Sequence, residues 1–194
     1  ESESRGLGDV YKRQELGWEL HHPIEMQNYL LDILLSSGKE FNLKLVGARA
    51  QNWLRQEKSY KAFGSDLGRD AGPFESKLSR FVDINKNFLG KDALLKRKTD
   101  VSCVTLLIDG PKDIDPWGRE ALYNETEEVM LGRLTSAGYS VHFKRSIGIG
   151  YVKSSFSEVG TKLRIKIDDA FWNAEIVRDS PYDPQNERII DRAQ

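Results

Sequence analysis

The strongest constraint on the fold is a strict alternation of polar and apolar residues near the end of the chain. Lys162–Ile167 reads KLRIKI, and Phe171–Val177 follows after the short turn Asp168-Asp169-Ala170. Successive side chains of a strand point to opposite faces, so this pattern buries one face and exposes the other. Two such segments joined by a short turn predict an antiparallel hairpin.

Three apolar segments upstream also fit strands: Val101–Ile108, Met130–Leu134 and Ser146–Val152. Several short antiparallel strands at this spacing predict a small β-barrel or a sandwich. The composition changes after Lys98, and this change places a domain boundary near Thr99.

The part of the chain before Thr99 predicts helices joined by loops. Apolar residues at helical spacing predict a first helix over residues 24–37, with Gly38 as a left-handed cap. The glycine-rich segment 59–73 predicts a long ordered loop of the kind that often carries function. The remaining predicted elements are helices over 48–58 and 91–97, strands over 16–21 and 81–84, and an alternating segment over 41–46.

The first fourteen residues, ESESRGLGDVYKRQ, have neither a helical nor a strand period. The string GLGDVYKRQ also resembles translated adaptor sequence. We therefore interpret residues 1–14 as a non-native or disordered tail, and the first domain is expected to begin at Glu15.

The charge balance excludes several classes of partner. With 29 basic and 30 acidic residues the net charge is -1, so neither nucleic acid nor a membrane surface is an expected partner. Cys103 is the only cysteine, which rules out an internal disulfide, and its apolar neighbours indicate a buried strand residue. No metal site is predicted, since the adjacent His21 and His22 would point to opposite faces of a strand.

Six short motifs, each weak alone, occur in an order that resembles the aminomethyltransferase family. This family includes the glycine cleavage T-protein and the C-terminal half of dimethylglycine and sarcosine dehydrogenases. Within the family, the segments EKSYKAFGSDL, PWGREAL and YDPQN are more similar to the dehydrogenase branch. The six motifs are ELGWEL (15–20), LRQEKSY (54–60), PFE (73–75), FLGKDAL (88–94), LGRLTSAGYS (131–140) and KRSIGIGYV (144–152).

The resemblance implies an α+β fold. Residues 15–98 would be the C-terminal part of a folate-binding domain, and residues 99–194 a small antiparallel β-barrel. The implied function is tetrahydrofolate-dependent one-carbon transfer during oxidative N-demethylation of dimethylglycine or sarcosine, with a small-molecule amine as substrate. FAD would be bound only by a missing N-terminal flavin half of the same chain. The implied location is the cytoplasm, or the mitochondrial matrix in a eukaryote.

The family's catalytic aspartate lies upstream of the ELGWEL motif, so no catalytic residue is expected here. We therefore expect the chain alone to be inactive and to bind folate weakly or not at all. Two alternatives stay open. One is a glycine cleavage T-protein, and the other is a non-catalytic folate-binding module, against which the absence of cysteine from EKSYKAFG argues.

The resemblance implies three folate-binding residues. Glu19 would accept hydrogen bonds from the adjacent N–H and amino groups of the pterin ring. Tyr60 would place a flat ring against the ligand. Arg49 lies in a GARA sequence similar to the family's arginine motif, although alignment on Leu54-Arg55 shifts that arginine to Gln51.

Three further residues are expected to have structural roles. Arg55 is expected to form an ion pair with a carboxylate such as Glu57 or Asp66. Glu75 is expected to hold the turn at Pro73. Lys77 stands where the family has glycine, so a different backbone arrangement is expected there if that glycine has positive φ.

Overall fold

The computed structural model describes residue 15, residues 17–110 and residues 115–190, together with the backbone alone of 7–9, 189 and 190. The described residues before residue 100 form two short strands and three helices. Its elements are β1 (Leu7–Asp9), β2 (Trp18–Leu20), α1 (Gln27–Ser37), α2 (Ala48–Glu57) and α3 (Lys91–Lys96). A 3-10 turn at Ile24–Met26 leads into α1, and another lies at Ser79–Phe81.

The second part is a closed barrel of six antiparallel strands. They are β3 (Val101–Ile108), β4 (Ala121–Tyr123), β5 (Met130–Ser140), β6 (Arg145–Lys153), β7 (Lys162–Ile167) and β8 (Ala170–Val177). Their spatial order is β3-β6-β5-β4-β7-β8, and β3 also pairs with β8. A short helix, α4 (Glu187–Ile190), follows. The α+β class and the antiparallel barrel are therefore confirmed.

The core fills the barrel. In β7, Leu163, Ile165 and Ile167 are buried while Lys162 and Lys166 are exposed, as the alternation predicts. Burying each such aliphatic side chain contributes roughly 1.5–3 kcal/mol. The side chains with at most 1% exposure include Val104, Leu106, Ile108, Leu122, Leu134, Ile147, Ile149, Val152, Leu163, Ile165 and Ile176.

Helix α2 packs against β5 and β6 and thereby joins the two parts. The Trp53 ring meets Tyr139 edge to face, with 6.5 Å between the ring centroids. Gly138 makes this approach possible, because a Cβ at that position would overlap the Trp53 ring. The amide of Gln56 donates a hydrogen bond of 3.2 Å to the carbonyl of Ala137.

Helix α1 is different, since it contains no buried residue. Tyr29, Leu31 and Ile33 keep 61%, 45% and 40% of their surface exposed. None of the described helices combines the length and the apolar character needed to cross a bilayer.

Several local predictions are wrong. Gly38 has φ of -75°, so it is not a left-handed cap. A glycine fits there because a Cβ would lie 2.6 Å from the Cβ of Leu43. Residues 81–84 form no strand, since no neighbouring strand pairs with them among the described residues. His21 and His22 follow β2 rather than lying in it.

Two further local features lie in the tail and at the Lys77 turn. Within residues 1–14, Leu7–Asp9 pairs with Trp18–Leu20 as a short antiparallel ladder, and the rest of that tail lies outside the described residues. Lys77 has φ of 55°, so this lysine adopts the left-handed conformation that favours glycine. The turn is held by the hydrogen bond from the Leu78 amide to the Pro73 carbonyl, at 2.7 Å.

Candidate functional site

Arg55, at the end of α2, organises the loop that follows. Its guanidinium donates to Asp66 at 2.7 Å, to the Tyr60 carbonyl at 2.8 Å and to the Ser136 hydroxyl at 2.8 Å. The side chains of Arg55 and Asp66 are 11% and 0% exposed. Thr135 donates to the second oxygen of Asp66 at 2.6 Å. The predicted structural ion pair is confirmed, with Asp66 as the partner, and it ties the loop to β5.

The next residues bind the C-terminal segment. Lys58 is 1% exposed, and its ammonium donates to the Asp183 carbonyl and to Asn186 Oδ1, both at 2.6 Å. Burial lowers the pKa of Lys58, and Asp183 opposes this effect. The Tyr182 amide donates to the Glu57 carbonyl at 3.0 Å. Residues 179–186, which we term the C-terminal strap, are therefore fixed against the end of α2.

Tyr60 lines a groove next to this strap. The groove has a volume of about 750 Å³ and lies between residues 58–61, residues 77–81 and the C-terminal strap. Its lining includes the apolar side chains of Leu67, Leu78 and Phe81. We term this cavity the Tyr60 groove. An aromatic ring in its lining offers a surface on which a flat ligand can stack.

Glu19 lines a separate, smaller groove of about 520 Å³. Its side chain is 47% exposed, and Oε2 lies 3.7 Å from Nε2 of His21. The lining is mixed, with the apolar Trp18 on β2 and Leu30 and Leu34 on α1 beside the polar His21, His22 and Gln27. A half-exposed carboxylate beside apolar side chains can accept two hydrogen bonds from a flat heterocycle.

Arg49, near the start of α2, is engaged on three sides. It forms an ion pair with Asp115, and its guanidinium lies 5.6 Å from the Trp53 ring centre and 4.6 Å from that of Trp117. Cation–π contacts of this kind hold a guanidinium in place. Arg49 therefore bridges α2 and the segment that precedes β4.

Glu75 joins the Pro73 turn to the start of the barrel. Its Oε1 accepts hydrogen bonds from Thr99 at 2.5 Å and Arg97 at 3.2 Å, and its backbone carbonyl accepts from the Cys103 amide at 2.7 Å. Although burial acts to raise the pKa of Glu75, the Thr99 and backbone hydrogen bonds and the Arg97 charge together lower it. The carboxylate is thus held ionised.

The three predicted folate residues do not converge within the described part of the chain. Glu19 and Tyr60 line different grooves, and Arg49 faces Asp115 and two tryptophans. Sequence reasoning missed Lys61 and Arg80 in the Tyr60 groove and Asp115 beside Arg49. No local motif marks these residues, because they meet only through the tertiary fold.

Two family models match the chain in succession. Residues 13–86 match the GCVT N-terminal domain, and residues 102–183 match the glycine cleavage T-protein C-terminal barrel domain. Mitochondrial dimethylglycine dehydrogenase of Mus musculus is 35% identical over 172 residues, which cover 85% of this chain and 19% of that protein. An aminomethyltransferase of Caldanaerobacter subterraneus is 30% identical over 164 residues, which cover 84% of this chain and 44% of that protein.

The fold has a solved counterpart. The glycine cleavage system aminomethyltransferase T of Bartonella henselae superposes with a TM-score of 0.81 at 20% identity, covering 94% of this chain and 50% of that chain. The chain therefore spans at most half the length of these relatives and about a fifth of the dehydrogenase.

Proposed function

Because the chain belongs to the glycine cleavage T-protein family of aminomethyltransferases, we propose that it contributes to a tetrahydrofolate site for one-carbon transfer. The proposed setting is oxidative N-demethylation of dimethylglycine or sarcosine. The observation that carries this choice is the 35% identity to a dimethylglycine dehydrogenase over 85% of the chain.

The groove at Glu19 fits a pterin in its chemistry. The Glu19 carboxylate would accept the adjacent N–H and amino donors of the ring, and the apolar Trp18 and Leu30 would cover its faces. When bound, tetrahydrofolate supplies the nitrogens that accept the one-carbon unit. The contribution of this chain is to hold the ligand in one orientation, which is the main source of rate in a transfer between two bound reactants.

Arg49 and Tyr60 enter the proposal in different ways. Arg49 would position the start of α2 through Asp115 and Trp117, and would reach the ligand only if it left that ion pair. Tyr60 would contact a part of the ligand remote from the pterin, since it lines a different groove. We further propose that residues 15–98 and 99–194 act as two domains of a longer protein that binds FAD elsewhere. Its proposed location is the cytoplasm, or the mitochondrial matrix in a eukaryote.

The experiment compares two glutamates in the whole protein that contains this chain. Glu19→Gln keeps the shape of the side chain but removes its charge, and we expect tetrahydrofolate affinity to fall about tenfold to a hundredfold. Glu25→Gln is the matched control, because Glu25 is an exposed residue just beyond the same groove. Unchanged folate affinity in Glu19→Gln would remove Glu19 from the site.

A second candidate is supported by the 30% identity to an aminomethyltransferase. In that case the donor would be an aminomethyl group on a lipoyl carrier protein, and ammonia would be released. Folate-dependent turnover of dimethylglycine and sarcosine, measured beside turnover of the aminomethyl carrier, separates the two. Activity with the carrier alone would overturn the demethylation proposal while leaving the folate site in place.

A further inference from the structure

The surface segment 86–98, which we term the basic segment, has a local charge that the net charge of the chain conceals. It reads KNFLGKDALLKRK, with five basic residues and one acidic residue, whereas the whole chain has a net charge of -1. A cluster of about four to eight basic side chains in one short surface segment attracts anionic surfaces. The net charge therefore does not exclude such a surface here. The basic residues are Lys86, Lys91, Lys96, Arg97 and Lys98, and the acidic residue is Asp92.

The four lysines of the basic segment are free to meet an anionic surface. Lys86, Lys96 and Lys98 are exposed, and Lys91 is partly exposed. Within the described part of the chain, none of the four forms an ion pair with a carboxylate. Arg97 differs, because it donates to Glu75 at 3.2 Å. The uncompensated charge of the segment therefore lies on its lysines.

An apolar side chain projects from the same segment. Residues 88–91 form a turn in which the Lys91 amide donates to the Phe88 carbonyl at 3.2 Å and Gly90 has φ of 88°. A type II turn requires a positive φ at its third residue, which glycine adopts without strain. Leu89 therefore lies at the tip of the turn, where it is fully exposed. Polar residues and glycine dominate turns in water, so a leucine at this tip indicates an apolar contact.

Two more apolar side chains extend this surface. Phe88 and Leu95 keep 36% and 52% of their surface exposed, and α3 buries none of its residues. Leu95 lies one helical turn after Lys91, so an apolar and a basic side chain share one face of α3. Leucine and phenylalanine interleaved with lysine are typical of segments that lie in the plane of a membrane surface.

The exposed apolar residues of α1 do not share this chemistry. The 3-10 turn at Ile24–Met26 and α1 together contain Glu25 and Asp32 and no basic residue. An anionic surface repels such carboxylates. Charge therefore distinguishes the basic segment from α1 as the place where an anionic surface would bind.

We propose that the basic segment binds the surface of an anionic lipid bilayer, with Leu89 inserted among the headgroups and the four lysines against lipid phosphates. This contact is peripheral and does not depend on the proposed folate site. Each lysine close to the bilayer strengthens binding about fivefold. Four lysines and one inserted leucine therefore give reversible attachment.

The test is cosedimentation of the 194-residue chain with vesicles of phosphatidylcholine and phosphatidylglycerol in equal parts, beside vesicles of phosphatidylcholine alone. We expect binding to the anionic vesicles only, and it should weaken as salt is added. Lys96→Gln combined with Lys98→Gln should weaken binding about tenfold to thirtyfold. The matched control, Lys153→Gln combined with Lys162→Gln, removes two exposed lysines of the barrel and should weaken binding less than about twofold.

Two leucine variants test the apolar part of the contact. Leu89→Ser should weaken vesicle binding about tenfold, because the inserted side chain is lost. Leu31→Ser, on the exposed face of α1, should change binding less than about twofold. Circular dichroism establishes that each variant is folded. Equal weakening by the two serine variants would place α1 against the vesicle and overturn the proposal.

Soluble polyglutamate separates a bilayer from an acidic protein. It offers carboxylates without a headgroup layer into which Leu89 could insert, so it should displace little of the chain from the vesicles. Full displacement at an equal concentration of anionic groups would show that charge alone is recognised, and would overturn the proposal in favour of an acidic protein. Absence of binding to the anionic vesicles would also overturn it.

Discussion

The barrel and the segment around α1 have similar apolar residues but bury them very differently. Leu106 and Ile165 are 0% exposed, whereas Leu31 and Ile33 on α1 are 45% and 40% exposed. Helical stability in water comes mainly from packing of an apolar face. The barrel with α2 therefore carries most of the stability of this chain, while α1, which buries no residue, contributes little.

The largest expected effect on the free energy of unfolding comes from a substitution in the barrel core. Leu106→Ala should lower the free energy of unfolding by about 3–4 kcal/mol, because it leaves a cavity among fully packed neighbours. The matched control, Leu31→Ala on α1, should change it by less than about 0.5 kcal/mol. Both values come from urea titrations followed by near-ultraviolet circular dichroism.

Equal losses of unfolding free energy in the two leucine variants would contradict the conclusion that the barrel is more important for stability than α1. They would mean that α1 packs as tightly as the barrel and unfolds with it. A loss confined to far-ultraviolet helical signal in Leu31→Ala would instead agree with a helix that unfolds independently.

The second effect concerns the ion pair that fastens the loop to the barrel. Asp66→Ala should cost about 3 kcal/mol, because it leaves the Arg55 guanidinium buried without its counter-charge. The control is Asp109→Ala, whose partner Arg145 is 40% exposed, and its cost should stay below about 0.5 kcal/mol. Thermal unfolding at matched pH measures both, and similar shifts in Tm for the two variants would reject the role assigned to Asp66.

The smallest effect depends on pH and concerns the junction between the two parts. The pKa of Glu75 is lower in the folded chain than its ordinary value of 4.5. Its contribution is therefore complete above that value and is lost as the pH falls through the lower folded pKa. Glu75→Gln should lower the free energy of unfolding by about 1 kcal/mol at pH 7. The difference in unfolding free energy between this variant and the unmodified chain should become smaller in acid.

Urea titrations at pH 7 and pH 3 measure this difference in unfolding free energy between Glu75→Gln and the unmodified chain. Glu158→Gln is the matched control, since Glu158 is exposed and should show no such difference at either pH. A difference that stayed constant between the two pH values would show that the carboxylate charge of Glu75 adds nothing to stability.

Prediction from sequence was most accurate where the local pattern of polar and apolar residues matches the burial of the element in the fold. The alternation in Lys162–Ile167 fixed the bounds of β7, and the helix after Gly47 was placed within one residue of its end. It failed where a segment lacked a partner, as in 81–84, because alternation alone does not provide a neighbouring strand. It also missed β4, three residues long, whose existence depends on pairing with β5 and β7.

The site was less predictable than the fold. The ion pair of Arg55 could be expected from sequence, since a basic residue at a helix end close to several carboxylates forms an ion pair with one of them. The Tyr60 groove could not, because its cations come from segments 58–61 and 77–81, which are separated in sequence and meet only in the folded chain. The positive φ of Lys77 and Ser59 likewise depends on hydrogen bonds that the sequence does not reveal.

The pairing of β3 with β8 has a consequence for how the chain is made. Thr105 to Ile108 pair with Ala174 to Val177, so the first and last strands of the barrel close on each other. During synthesis the barrel cannot close until residue 177 has left the ribosome, and until then β3 exposes one unpaired edge. Contacts of such long sequence separation fold slowly. The nascent chain is thus most prone to aggregate just before its last strand emerges.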